Sequence, residues 1–548
     1  MTFTKSCIRA CSLILAAVLA LFAMGCSSEA QVKEIDTSNA IITDGQASAT
    51  PLQKGADESK KDVVSSLNIG ILKDIGSLHP LYLNNEQTEN VLSLIFEPAI
   101  KLDASDLPSS GVIESWEWNS DKKIYTFHVR KNVYYHDSES TVTADDILYA
   151  FEKIMDSSAS ECRYSQYKGC VKSYEKTDDY TFTVSLKRVS NDIFYLLSFP
   201  VFQKSVYGGL DVNTLKTPVG TGAYKVKSFD VNSGMELVAN DNWWKVAGDI
   251  EKIYVKFYSS QDEINSAYRV GDIDTLLNID MNAAATSGSK STVYYATTQY
   301  YDALIVNCKS YPTNIKEVRQ GLNYLIDRSA LIKQSLQGEG YPTMTPLRLD
   351  KWYTHGIEPV EDSAKKAMKC FKSAGFSKDG SGDMMHNGVR TSLKLIYCES
   401  SSSSYRSNVA AILRTQLSEA GINLDIEKLS ENSFLSAIDN GEYDLALCSF
   451  YNRANDDISM FFGSSATLNY GKYEGESVDD LIKAVRDVNG EEEATAAYTK
   501  LYSYLIENVP HIGLYFRTHS VVLPSGIPNV GLLRARSVFA DINTWKTE

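Results

Sequence analysis

The stretch "IYTFHVRKNVYYHDSESTVTADDILYAF", Ile124 to Phe151, changes its period halfway along. Tyr125, Phe127 and Val129 alternate with Thr126, His128 and Arg130, the period-2 pattern of a strand buried on one face. Beyond the polar turn at His136, Asp137 and Ser138, Thr143 is a candidate helix N-cap with Asp146 three residues on. Asp145 and Asp146 would sit near the positive end of the helix dipole. Ile147, Leu148 and Phe151 then form an apolar face at helical spacing. The block holds no nucleophile, metal cluster or phosphate loop.

The same alternation of strand-like and helix-like segments continues outward, which predicts an α/β protein. "SLNIGIL", "YTFTVSL" (Tyr180–Leu186), "MELVAND", "EKIYVKF", "TSLKLIYC", "INLDIEKL" and "EYDLALCSF" read as strands, and "PVGTGAYKVKSFD" as a Gly-rich turn into a strand. "TENVLSLIFEPAI", "DEINSAYRVG", "NIKEVRQGLNYLIDRSALIKQSL", "DSAKKAMKCFKSAGF", "RSNVAAILRTQLSEAG" and "EEEATAAYTKLYSYLIENV" read as helices. At 548 residues the chain exceeds one core, so two or three domains are expected.

The 54 basic and 69 acidic residues leave a net charge of -15. That argues against a nucleic-acid partner, which needs a basic surface, and fits a soluble protein kept monomeric by self-repulsion. At the N-terminus Lys5 and Arg9 precede an apolar run ending in "FAMGC", the pattern of a secretory signal. Ala23 and Gly25 before Cys26 resemble the lipobox of bacterial lipoproteins, in which the cysteine is lipidated and begins the mature chain; Ala23 stands where leucine is commoner. Residues 1–25 are therefore expected to be a signal peptide and 26–63 a lipidated, disordered tether. Its free part, about 37 residues, would reach roughly 35 Å. Cys162, Cys170, Cys308, Cys370, Cys398 and Cys448 remain; an exported protein permits disulfides among them, Cys162 and Cys170 being close enough to pair, and buried thiols are the other reading.

Seven separated blocks, in order, resemble the family 5 extracellular solute-binding proteins, the peptide- and nickel-binding components of ABC importers. They are "SLHPL" with "NVLSLIFEPAI"; "SWEWNSDKKIYTFHVRKNVYYHDSESTVTADDILYAF"; "PVGTGAYKVKSF"; "VRQGLNYLIDRSALI"; "SAKKAMKCFKSAGFSKDGSGD"; "QLSEAGINLDI"; and "GEYDLAL". The resemblance implies a two-lobed, type II periplasmic-binding-protein-like α/β fold with an extra subdomain in lobe 1, about 84–210, to which the opening block belongs as scaffold. Strands crossing between the lobes are expected near Thr297–Asn307 and Pro510–Val522. Lobe 1 would then span about 64–300 with 513–548, and lobe 2 about 301–512.

The resemblance further implies a solute, foremost an oligopeptide, held in the cleft as an added strand and delivered to a membrane permease, with no cofactor and no covalent chemistry. Asn84 to Glu86 would supply one edge and Ser449 to Asp457, with Phe450 and Tyr451, the other. Peptide binders of the family often carry D-Y-x-D-P here; in the best register Arg453 replaces the first aspartate, Asp456 matches the second, and Asp457 replaces proline. Three readings stay open: Asp456 or Asp457 captures an amine, Arg453 selects an anionic ligand, or Arg453 pairs with an aspartate and neither touches ligand. Tyr164, Tyr167, Asn278 and Tyr515 are further candidates.

No G-x-S-x-G and no H-E-x-x-H supports a secreted hydrolase. "TSGSKST" lacks a phosphate loop's frame, and "DGSGD" has Arg390 where a calcium loop needs glutamate. Nickel or another chelate remains an alternative ligand, although the seven histidines include no i, i+4 pair. A peptide-pheromone receptor is the other alternative.

Overall fold

A computed structural model describes residues 64–547, apart from 83–84, 138–139, 211–215, 280–289, 400–404, 464–465, 476 and 489. The signal segment, Cys26, the tether, Asn84 and most of "TSGSKST" therefore lie outside the described residues, as does the side chain of Asn278.

The alternating half of the opening block is the strand Ile124–Val129, with Tyr125, Phe127 and Val129 buried. It is an inner strand of a four-stranded antiparallel sheet in the order Ile113–Asn119, Ile124–Val129, Thr181–Leu186, Val171–Asp178. Phe127 faces Phe182 in register and their rings stack 5.2 Å apart, a pairing that adds to the area each buries. The helix Ala144–Asp156 begins where the capping pattern placed it: Asp146 Oδ2 accepts from the Thr143 backbone N–H at 3.1 Å and hydroxyl at 3.2 Å. Ile147 and Phe151 are fully buried, and Phe151 packs on Tyr174 of the sheet.

The polar turn between them docks on the Gly-rich turn. His136 Nε2 donates to the Gly222 carbonyl at 3.0 Å, while Nδ1 accepts from the Gly220 N–H at 3.4 Å. Only the neutral ring satisfies both, and burial lowers its pKa to about 4. Gly220 and Gly222 are themselves required by close approach. A Cβ on Gly220 would stand 2.1 Å from the Ile95 carbonyl oxygen, and one on Gly222 2.5 Å from that of Leu94.

A larger mixed sheet carries the rest of the molecule. Its order is Asn423–Leu429, Ser392–Cys398, Leu445–Tyr451, Ser291–Val306, His511–Pro524, Thr275–Ile279, Ser66–Leu72, Lys252–Tyr258, Gly234–Ala239, Tyr224–Asp230. The two longest strands, Ser291–Val306 and His511–Pro524, pair antiparallel at its centre. Near one end Tyr294, Ala296, Val521 and Leu523 join the core built on the Ser66–Leu72 strand and the four-stranded sheet. Near the other, Leu304, Val306, Ile512 and Leu514 join a core with Leu322, Leu395 and Leu413. Between these ends the register of the pair shifts twice, between Thr297 and Tyr301 and between Asp302 and Ala303.

Three expectations need correction. The first helix stops at Ile95 instead of running to Ile100, because Pro98 disfavours helical backbone before it and Phe96 turns extended. The 314–336 segment is two helices, Lys316–Leu325 and Arg328–Ser335, with Asp327 capping the second through Ala330 N–H. Arg328 is buried there and donates to the carbonyls of Asn323, Thr343 and Gly513, so the D-R pair pins a chain break. The strand expected from Glu442 begins at Leu445. All six described cysteines are free thiols.

Candidate functional site

Period-2 alternation puts Tyr300 and Asp302 on one face of the central strand, opposite Tyr451 and Ser449 of the Leu445–Tyr451 strand. Arg517 and His519 of the returning strand lie on the same face. The Tyr300 and Tyr451 rings meet edge-on at 5.1 Å, and the Arg517 guanidinium lies 4.3 Å over Tyr300 and 5.7 Å over Tyr405. Asp302 is buried; it accepts from the Tyr405 hydroxyl at 2.9 Å, and Arg517 Nε stands 3.5 Å away. Arg406 Nη2 donates to Ser449 Oγ at 2.8 Å.

The N-terminus of the Glu86–Ile95 helix closes the other side of this stripe. Glu86 lies 2.9 Å from His519 Nδ1 and 3.6 Å from Arg536. Arg536 also donates to Glu89 at 2.7 Å and through Nε to the Tyr451 hydroxyl at 3.1 Å. Arg163 donates to Glu89 at 2.5 Å and to the Tyr164 hydroxyl at 2.9 Å. Burial alone would raise the Glu86 carboxyl; the His519 hydrogen bond and the charges of His519, Arg536 and Arg517 outweigh it and hold it below the ordinary value.

The Leu445–Tyr451 strand runs past its parallel neighbour beside this stripe. Its parallel pairing with Ser392–Cys398 covers Leu445, Ala446 and Leu447, yet it runs on to Tyr451. Among the described residues no strand flanks Cys448–Tyr451 on that side.

The loop that follows forms a second cluster. Arg453 Nη1 donates to Asp457 Oδ2 at 2.6 Å, and the Ala454 N–H donates to the Tyr167 hydroxyl at 3.3 Å. Asp456 adopts a left-handed φ of 48°, which aspartate tolerates better than most residues. Its Oδ2 accepts from the Tyr353 hydroxyl at 3.0 Å and the Arg348 N–H at 3.3 Å. Burial pushes its pKa up to about 7, against the opposing pull of Lys351 and Arg348. Nearby, Lys351 pairs with Asp106, which also lies 2.5 Å from Arg534. Arg188 adds a further tie, donating to Asp192 at 2.7 Å and Asp487 at 3.1 Å.

Of the residues expected from sequence, Glu86, Tyr164 and Tyr451 meet along the stripe through Glu89, Arg163 and Arg536. Tyr167, Arg453, Asp456 and Asp457 gather in the second cluster. Phe450 points to the opposite face and packs among Tyr301, Phe461 and His511. Tyr515 is fully buried in the core. Sequence reading missed Tyr300, Asp302, Arg517 and His519, although polar residues recurring every second position in otherwise apolar strands marked one face. Arg163, Arg406 and Arg536 carried no such signal. Among the described residues no group of three or more His, Cys, Asp or Glu side chains is placed to hold a metal ion.

The sequence profile of the bacterial extracellular solute-binding proteins, family 5 (middle region), matches residues 108–472. The oligopeptide-binding protein AppA of Bacillus subtilis is 22% identical over 547 residues, covering 96% of both chains. The periplasmic oligopeptide-binding protein OppA of Salmonella typhimurium is 25% identical over 520 residues, covering 87% of this chain and 91% of its own. The solved structure of HbpA2 from Haemophilus parasuis superposes with a TM-score of 0.72 at 17% identity, covering 88% of this chain and all of that one.

Proposed function

The chain belongs to the family 5 bacterial extracellular solute-binding proteins, and from that premise we propose that it captures oligopeptides for an ABC importer. It is a substrate-binding protein with the fold of its family, type II and two-lobed. In the proposed division, lobe 1 is about 64–300 with 513–548, including a subdomain of about 84–210, and lobe 2 is about 301–512. The proposed anchor is lipid on Cys26, and the proposed partner a membrane permease that receives the loaded, monomeric protein.

The observation that carries the peptide reading is the Cys448–Tyr451 edge, which no strand flanks among the described residues, beside the Tyr300–Tyr451 pair and tied from Tyr451 through Arg536 to Glu89 of the Glu86–Ile95 helix. An extended peptide laid there gains main-chain hydrogen bonds without its side chains being read. The oligopeptide ligands of AppA and OppA support the same class. Native mass spectrometry of the purified protein against a denatured control tests it. A ladder of adducts at peptide masses is expected; a single non-peptide adduct would replace peptides with another solute.

A further inference from the structure

Resting on that reading of the site, we infer that this protein holds its ligand by an anionic group, with Arg517 as the anchor, and not by a free amine.

The carboxylates that could meet an amine are paired or buried; Asp302 Oδ1 alone among the stripe's carboxylate oxygens is a buried acceptor without a hydrogen-bond partner, and its side chain is 1% exposed. Asp457 is bound to Arg453 at 2.6 Å, and Asp456 is buried beneath the Tyr353 hydroxyl. Along the stripe, the carboxylates of Glu86, Glu89 and Asp302 lie inside, with side chains 14%, 8% and 1% exposed. The groups left outermost are phenols and guanidiniums: Tyr451 is 43% exposed, and the Arg163, Arg536 and Arg517 side chains are 32%, 27% and 20% exposed.

Charge points the same way. Four guanidiniums, on Arg163, Arg406, Arg517 and Arg536, stand against three carboxylates. Glu399 beside Arg406 is matched by Lys428. One negative charge is wanting. Arg517 is the group with donors to spare. Among the described residues its only carboxylate neighbour within 4 Å is Asp302, at Nε, and no hydrogen-bond acceptor meets its terminal nitrogens. The guanidinium rests 4.3 Å over Tyr300 and 5.7 Å over Tyr405, and its free terminal nitrogens have the fork geometry that binds a carboxylate through two parallel hydrogen bonds. Arg406 Nε is a further buried donor without a partner. A peptide on the Cys448–Tyr451 edge would thus run with its carboxyl end toward Arg517.

The test uses a casein digest in three forms: untreated, N-acetylated, and methyl-esterified at its carboxyl groups. Each is offered to the purified full chain and the captured peptides are counted by native mass spectrometry. Expected is capture of the acetylated digest within about twofold of the untreated one, and at least a tenfold loss for the esterified digest. Arg517→Gln should lose the untreated digest equally, and Arg517→Lys should recover part of it. Capture of the esterified digest with loss of the acetylated one would overturn the inference while leaving peptide binding intact. Capture of none of the three by the wild-type chain would remove the peptide reading itself, and the inference with it. Should Arg517→Gln fail to fold, the wild-type comparison still decides between anion and amine, and Arg517→Lys decides the anchor: untreated-digest capture equal to wild type would overturn it.

Discussion

Arg453 reaches Asp457 across 2.6 Å, closing a salt bridge within one loop instead of extending from it. The arginine side chain is 34% exposed and the aspartate 11%, so the pair is partly screened and worth about 1 kcal/mol at most. Arg453→Ala should lower stability by about that amount and change ligand affinity less than threefold. Thermal melting and titration calorimetry check the two halves separately; a tenfold loss of affinity would make Arg453 a ligand contact.

Asp456 and the buried histidines give stability opposite dependences on pH. Burial lowers His79 and His136 to about 4 and His511 to about 3, from 6.5. The stability each contributes is complete above 6.5 and lost as pH falls toward those values, by roughly 3–5 kcal/mol per group at most. Asp456 is raised from 3.8 to about 7, so its contribution is complete below 3.8 and lost as pH rises through 7. Asp456→Asn keeps an acceptor for Tyr353 but cannot ionise. It should therefore melt close to wild type at pH 4 and higher than wild type at pH 8; an equal shift at both pH values would contradict the assignment.

Lys351 and Asp106 are both buried, with side chains 7% and 4% exposed. Removing Asp106 strands the buried Lys351, which costs about 3–5 kcal/mol, whereas removing Lys351 leaves Asp106 its ion pair with Arg534, and replacing both with apolar residues avoids the stranded charge. Asp106→Leu should be strongly destabilising, Lys351→Met less so, and the Lys351→Met, Asp106→Leu pair should recover part of the Asp106→Leu loss. Arg534, which loses its carboxylate partner at position 106 in the double variant, sets how much of the cost remains. Denaturant titration of the two singles and the double measures the coupling.

Gly220→Ala should cost about 2 kcal/mol or more, as an overpacked buried site does, because the added methyl meets a backbone carbonyl at 2.1 Å and not a movable side chain. Gly209, whose Cβ would meet nothing within 4 Å, is the control for general glycine effects, although its positive φ makes the same substitution mildly strained. Denaturant midpoints of the two alanine variants check the difference.

The parts of the fold legible in the sequence were those with a local cause. Tyr125, Phe127 and Val129 announced a strand by alternation, and Thr143 and Asp146 a helix start by reciprocal hydrogen bonding. Asp327 could have announced a second start within 314–336, but the unbroken apolar spacing around it masked the break. The site was less legible because its contacts join distant segments: Arg536 to Glu89, Arg163 to the same carboxylate, Arg517 to Asp302. Each arginine alone is an ordinary polar residue, and only the sheet brings them to one face.

The two register shifts between Ser291–Val306 and His511–Pro524 also bear on mechanics. A regular antiparallel ladder resists bending along its whole length; an interrupted one yields at its irregular steps. Those steps fall between Thr297 and Ala303, where Tyr300 and Asp302 stand beneath Arg517. Anything seated on Tyr300 and Arg517 therefore splints these irregular steps of the central pair, so occupancy of the site and stiffness of its backbone are linked.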